Sequence, residues 1–477
     1  MTIKTGRNDA SSSLAQLGDL QALDAITLEG LSPQQKDSII AATGQICRML
    51  MQDLGVRWKP QPVDSALRSR LVQWIKTELE PEVGPVDKRF LIGADTGLTY
   101  TERVYEGGDF ETKVSMAKYL AVLIYLDDMI DNNAAVAKEA ESFLVKTMMS
   151  SNHASSSGDS IWLEEYKKVI LKLSKHIPDP FVSNMLLHSC TLCIEGSALE
   201  YRIQRDQAKY FLIEDADKER VRDDAERKLA DDYGVDISLP LDQDRIVTGD
   251  RSEYLAPHGW PLWLRERTGV AEPSAIVSFR APGGIDLPTW LWVTAIPELR
   301  TVINAINDIL SFPKEFLADD TTSPLTVMTK ERRLIGMPGT APDGGWCLRD
   351  SFEEVLRKTV VSGARINRLL RPTAMEARYT SEEMGGRPYS VVELVAMLQR
   401  GLPEDDDAVV HDGQGLDRLE VMKALALRLW ETHQRGYVAW HFQTPRYRMY
   451  EHFDWVKDMM GCEAAATTGP QWLTSCF

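Results

Sequence analysis

Cysteine is scarce in this chain of 477 residues: six are scattered from Cys47 to Cys476, too few for a disulfide framework and in keeping with reduced thiols. Cys190 and Cys193 form one C-x-x-C pair, but it lies in the apolar stretch MLLHSCTLCIEGSALEY, and no second pair at zinc-site spacing follows. Core packing is the duty expected of it. Basic residues are in deficit, with 54 Lys and Arg against 71 Asp and Glu and a formal net charge of −17. That balance argues against nucleic acid, because phosphate backbones are held by basic surfaces that release counterions. Long apolar runs are missing as well. The most apolar helical run, Tyr119 to Leu126, falls far short of the roughly 20 residues a bilayer-spanning helix needs. Met1 to Asp24 lack the apolar core of a secretory signal. A cytoplasmic protein without membrane insertion is the expectation, and an anionic ligand would need local neutralisation.

Alternating β-branched runs bounded by turn residues are nearly absent, which leaves helical spacing as the dominant periodicity and an all-α fold as the reading. With 43% hydrophobic content, the chain can bury a large core. Residues 1–60 read as a polar leader followed by one packing helix (DSIIAATGQICRMLMQDLG), residues 61–465 as the helical body, and residues 466–477 as a tail. Within the body, Ser65 to Leu79 and Phe110 to Asp131 read as helices. Residues 205–250, dense in charge of both signs and poor in large apolar side chains, read as a surface insertion. Gly336 to Gly345 and Gly401 to Gly415 read as loops. No internal repeat is visible.

Two clusters carry chemistry. In YLDDMID, the carboxylates of Asp127, Asp128 and Asp131 end an apolar helix face, where they are costly unless something cationic neutralises them. Asp127 and Asp131 are four apart, so they share one helical face and can share a hard divalent cation. In TVINAINDILSFPKE, Asn307, Ser311 and Glu315 are spaced i, i+4, i+8, which stacks an amide oxygen, a hydroxyl and a carboxylate over two turns. This all-oxygen set suits magnesium and leaves positions for a phosphorylated ligand. The large apolar residues around it argue against a plain solvated stripe. Lys314 adjoins Glu315, and the late segment GYVAWHFQTPRYRMYE adds Arg446 and Tyr447, a guanidinium and phenol able to hold a diphosphate by charge-assisted hydrogen bonds.

Taken in order, these elements resemble the class I terpene synthases, and specifically the fungal trichodiene synthase-like sesquiterpene cyclases. The aspartate-rich motif corresponds to Asp127, Asp128 and Asp131. The N-D-x-x-S-x-x-x-K-E signature corresponds to Asn307, Asp308, Ser311, Lys314 and Glu315, and the late arginine-tyrosine pair to Arg446 and Tyr447. The resemblance also implies a diphosphate-sensing arginine in WLRERTG, where spacing favours Arg265, with Thr268 and Gly269 at a helix break and Arg267 as the reserve. It covers roughly Pro62 to Cys462. The leader, the charged insertion and Pro313 inside the second motif depart from the pattern, and Pro313 removes a backbone donor that could kink the helix.

The resemblance implies one helical bundle around a central cavity, with the two metal motifs on opposing helices at its mouth. It implies three Mg2+ ions held by Asp127, Asn307, Ser311 and Glu315, with Arg265, Lys314, Arg446 and Tyr447 around the diphosphate. Farnesyl diphosphate is the implied substrate, with diphosphate released and a cyclic sesquiterpene, hydrocarbon or alcohol, as product. Trp440, Trp290 and Trp292 are candidates either to face the carbocation or to pack the core. Two alternatives stand beside this reading. A chain-elongating prenyltransferase of the same fold would carry two D-D-x-x-D motifs, and a catalytically silent binding protein would retain only the scaffold. A homodimer is a further implication of the resemblance.

Overall fold

Several helices begin on a side chain able to cap them. Ser32 opens the first long helix, α1 (Pro33–Asp53), with a reciprocal capping box. The Gln35 amide donates to Ser32 Oγ at 3.3 Å, and the Ser32 amide donates to Gln35 Oε1 at 2.9 Å. Asp64, Asp87 and Asp109 cap α2 (Ser65–Trp74), α3 (Lys88–Val104) and α4 (Phe110–Asn132) by accepting from backbone amides of the first turn, each such cap being worth about 1 kcal/mol. Then follow α5 (Ala134–Ala140), α6 (Ile161–Ser174), α7 (Pro180–Phe211), α8 (Ala271–Ser278), α9 (Ile296–Leu317), α10 (Pro324–Leu334), α11 (Leu348–Leu370), α12 (Val391–Gln399), α13 (Arg418–Gln443) and the single turn α14 (Met449–His452).

This computed structural model describes residues 20–25, 28, 30–54, 56, 64–145, 160–211, 265, 267, 270–318, 323–372, 389–400, 418–444, 446–447 and 449–459. Among them there is no β-strand, only the isolated bridges Arg280–Asp286 and Pro338–Gly345. The fold is an all-α helical bundle, and among the described residues no helix is long and apolar enough to cross a membrane.

The centre of the bundle is α4, which packs on α3, α6, α7 and α2, while α13 lies against α3 and α9. Small residues permit the closest crossings. A Cβ on Gly97 of α3 would sit 2.9 Å from the Ala117 carbonyl oxygen of α4. One on Gly436 of α13 would collide with the Arg103 carbonyl of α3. Both glycines therefore set how near α3 approaches its neighbours. The packing helix expected near the N-terminus is α1, which lies on α9 and presses Gly44 against the ring of Phe453.

Differences from the sequence reading are local. The helix expected over Ser65–Leu79 exists, but Ile75–Leu79 is wound as a π-turn. Pro313, expected to cost its helix a donor, lies within α9, which runs through it to Leu317, with Phe312 and Phe316 stacked at 5.3 Å on either side. The surrounding buried apolar face holds the turn together without the missing donor. The first residues of the charged segment, 205–211, continue α7, and the rest of it lies outside the described residues. So do Thr268, Gly269, the 401–415 loop, residues 1–19 and the 466–477 tail. The 336–345 segment is a loop, closed by the Pro338–Gly345 bridge. Cys190 and Cys193 are buried free thiols.

Candidate active site

Four stretches of chain meet where α9 faces α13 and α4. On α9 the apolar positions Val302, Ile303, Ile306, Ile309 and Leu310 are buried, which orients the intervening polar face of Asn307, Ser311 and Glu315 by helical spacing alone. Asn307 donates both amide hydrogens to the C-terminal segment, one to Tyr447 Oη at 3.0 Å and one to His441 Nε2 at 3.1 Å. Its carbonyl oxygen accepts from Arg265 Nη2. Lys314 Nζ lies 6.0 Å from the centre of the Tyr447 ring, within reach of its π-face.

Arg265 also donates from Nε to Asp308 Oδ1 at 2.8 Å. Burial alone would weaken the Arg265 charge, but Asp308, with Tyr437, Glu315 and Tyr447 nearby, outweighs it and holds the guanidinium firmly protonated. Asp308 is pushed up to about 6 by burial, against the opposing pull of Arg265. Of the two arginines of WLRERTG, it is Arg265 that reaches the Asn307–Asp308 pair.

On α4, Asp127 and Asp128 are half-buried and Asp131 is exposed. Ser197 of α7 donates to Asp127 Oδ1 at 2.8 Å, and Arg446 Nη2 lies 3.9 Å from Asp127 Oδ2. Burial raises the Asp128 carboxyl, opposed by Arg446 and Lys314. Arg446 is itself raised: burial works against its charge, but Tyr447, Asp127, Asp128 and Glu315 outweigh it. The aspartate-rich end of α4 and the oxygen face of α9 are thus tied to each other through Arg446 and Tyr447.

Three further residues complete this arrangement, two of them, Tyr437 and His441, within the GYVAWH segment that the resemblance includes. Ser197 fixes Asp127, His441 fixes the Asn307 amide, and Tyr437 lies one turn before His441 with its ring 4.7 Å away. Burial pushes the His441 imidazole down to about 3. Trp440 is buried in an aromatic group with Tyr100, Tyr437 and Tyr447, and its indole donates to the Thr96 carbonyl at 3.2 Å. Trp292 is buried and stacked on Phe279 at 4.8 Å. Trp290 is not an interior candidate: it is 61% exposed, because residues two apart on the short helix Thr289–Trp292 point in roughly opposite directions, so Trp290 faces out where Trp292 faces in.

Among the described residues no three His, Cys, Asp or Glu side chains are grouped closely enough to hold an ion, so the aspartates of α4 form no carboxylate cage of their own. The oxygen set of α9 is different in kind. Ser311 Oγ and Glu315 Oε2 are both buried without a hydrogen-bond partner. Such a buried, unbonded polar atom costs about 1–3 kcal/mol, and two on one face beside an amide oxygen suit a hard, oxygen-seeking cation.

No family model matches the chain. It is 24% identical over 349 residues, 72% of this chain and 85% of the relative, to terpene synthase BipA of Cochliobolus sativus. Among solved structures it is similar to a linalool/nerolidol synthase from Streptomyces clavuligerus in complex with 2-fluorogeranyl diphosphate, at 13% identity and a TM-score of 0.43, covering 82% of this chain and 98% of that one. A cucumene synthase variant is similar at 12% identity and a TM-score of 0.44, covering 80% and 98%.

Proposed function

We propose that this chain, an enzyme of the class I terpene synthase kind, is a sesquiterpene synthase that ionises farnesyl diphosphate with the help of magnesium and cyclises the resulting cation. The observation that supports this most is the convergence, from four separate stretches of an all-α bundle, of an unbonded oxygen face (Ser311, Glu315), an amide (Asn307), acidic residues (Asp127, Asp128) and three cationic side chains (Arg265, Lys314, Arg446).

Asn307, Ser311 and Glu315, with Asp127 across from them, would hold Mg2+ ions, three by the family resemblance. Bound there, the metal supplies Lewis-acid neutralisation of the leaving diphosphate. The chain's own part follows from its charges. Arg265, Lys314 and Arg446 present fixed positive charge to the diphosphate oxygens, and the Tyr447 hydroxyl adds a hydrogen bond. The allylic C–O bond then breaks with both electrons leaving on the diphosphate, and the prenyl chain becomes a cation. Buried aromatic rings such as Trp440 would stabilise positive charge, and the apolar surroundings would exclude water that would otherwise quench the cation as a linear alcohol. The final proton can go to the bound diphosphate, so no separate base is required. A cytoplasmic, homodimeric enzyme is part of the same proposal.

The Asn-Ser-Glu form of the second motif favours cyclisation over chain elongation. The experiment is release of diphosphate from farnesyl diphosphate by the purified full-length protein, with and without Mg2+, beside an Asn307→Ala variant. Mg2+-dependent release lost in the variant supports the proposal. Binding without release would instead identify a silent binding protein, and a longer prenyl diphosphate formed on adding isopentenyl diphosphate would identify a prenyltransferase.

A further inference from the structure

We propose that His441 is a positioning residue that fixes which end of the Asn307 amide faces the ligand. The proposal rests on the reading of Asn307 as a metal ligand. An asparagine side chain has one accepting end and one donating end of nearly equal shape, so a buried asparagine can present either, and a cation can be met only by the oxygen.

The ring of His441 is fully buried on α13, and its Nδ1 lies 2.8 Å from the Tyr437 carbonyl oxygen. A carbonyl only accepts, so Nδ1 carries the hydrogen. With Nδ1 as the donor, the imidazole leaves its lone pair on Nε2. That lone pair faces the Asn307 side chain at 3.1 Å, and an acceptor there demands the NH2 end. The same orientation follows independently from the other side. Arg265 Nη2, which can only donate, faces Asn307 Oδ1, and Glu315 lies within electrostatic reach of that guanidinium. Two fixed neighbours, one obligate donor and one obligate acceptor, thus give one assignment and leave the oxygen toward the charged face of the site.

The other tautomer, or a doubly protonated ring, would set an N–H against the amide NH2. Asn307 would have to rotate, turning its NH2 toward Arg265 and the cation. Packing holds the ring where it is. Tyr447 stacks on His441 at 4.5 Å, and Tyr437 and Trp440 meet it edge-on at 4.7 Å. The Tyr437 carbonyl thereby sets the tautomer, the tautomer sets the amide, and the amide presents its oxygen. Partners one step removed from a metal ligand act in this way, and their loss costs roughly 10- to 100-fold in metal affinity.

The test uses two variants and a readout other than turnover. His441→Phe keeps a ring between the aromatic neighbours but removes the acceptor, whereas His441→Gln returns an acceptor near the Nε2 position. Calorimetric titration of full-length protein with inorganic diphosphate, over a series of Mg2+ concentrations, should show His441→Phe shifted to roughly 10- to 100-fold weaker Mg2+ dependence, with His441→Gln recovering most of it. Wild type and His441→Phe binding equally well would overturn this proposal alone. Failure of the wild type to bind in the presence of Mg2+ would overturn the reading of the site itself. Should His441→Phe not fold, the 15N chemical shifts of His441, assigned by their loss in His441→Gln, decide the matter. A hydrogen on Nδ1 only is the expected result, and one on Nε2 would overturn the proposal.

Discussion

Replacing Arg265 by Met removes the partner of a buried carboxylate while keeping much of the side chain's bulk. The Arg265 and Asp308 side chains are 20% and 9% exposed, so the pair is largely withdrawn from water. Breaking a buried pair by removing one partner costs about 3–5 kcal/mol, because the remaining charge is left uncompensated. The residual exposure of Arg265 points to the lower end, about 3 kcal/mol. At a urea dependence of about 3 kcal/mol per molar, that lowers the midpoint of unfolding by about 1 M. Adding Asp308→Asn removes the stranded charge, so Arg265→Met/Asp308→Asn should recover at least half of the loss. The dependence on pH has a definite sign. Burial already raises Asp308 to about 6, and Arg265 is what opposes the rise; without it the folded-state value climbs further. A carboxyl whose folded pKa exceeds its unfolded one binds more protons when folded, so its contribution to stability falls as pH rises. The Arg265→Met deficit should therefore be larger at pH 8 than at pH 5.5. A variant as stable as wild type, a deficit flat with pH, or a double variant with no recovery would refute the reasoning.

Three other outcomes are expected. Ser311→Ala removes a buried hydroxyl that bonds to nothing, so in EDTA its melting temperature should equal or slightly exceed that of wild type, while Mg2+-dependent diphosphate binding weakens about tenfold; a large loss of stability in EDTA would contradict this. Gly436→Ala drives a methyl into the Arg103 carbonyl and should cost about 1–3 kcal/mol in urea unfolding by prising α13 from α3, whereas a neutral result would mean that the crossing is looser than described. Burial pushes the Cys193 thiol up to about 12 and raises Cys190 as well, so an aromatic disulfide reagent should leave both unmodified in the native protein and react with them only after denaturation.

Much of the helical architecture is legible in the sequence because its determinants are local. The apolar run before Asp127 fixes the buried core of α4, and the i, i+4, i+8 spacing places Asn307, Ser311 and Glu315 on one face without any knowledge of the partner helix. What was not legible is whatever depends on contact between distant segments. The GYVAWH segment brings His441 into the resemblance but does not say that its partner is an amide 134 residues earlier, and Ser197 looks like any small residue of an apolar helix until α7 lies beside Asp127. The π-turn at Ile75–Leu79 leaves no periodic trace over five residues. Pro313 reads as a place where the helix could kink because it removes a backbone donor, and the structure runs the helix through it with Phe312 and Phe316 buried on either side. Trp290 and Trp292 are equivalent in composition, and only the orientation of a four-residue helix separates the exposed ring from the buried one.

The most direct test of the central claim is gas chromatography with mass detection on the full-length protein incubated with farnesyl diphosphate, with and without Mg2+, alongside quantification of the diphosphate released. The expected result is a cyclic C15 product formed only with Mg2+ and in equal number to the diphosphate released. Diphosphate release accompanied only by linear alcohols, or no product from farnesyl diphosphate under any metal condition, would contradict it.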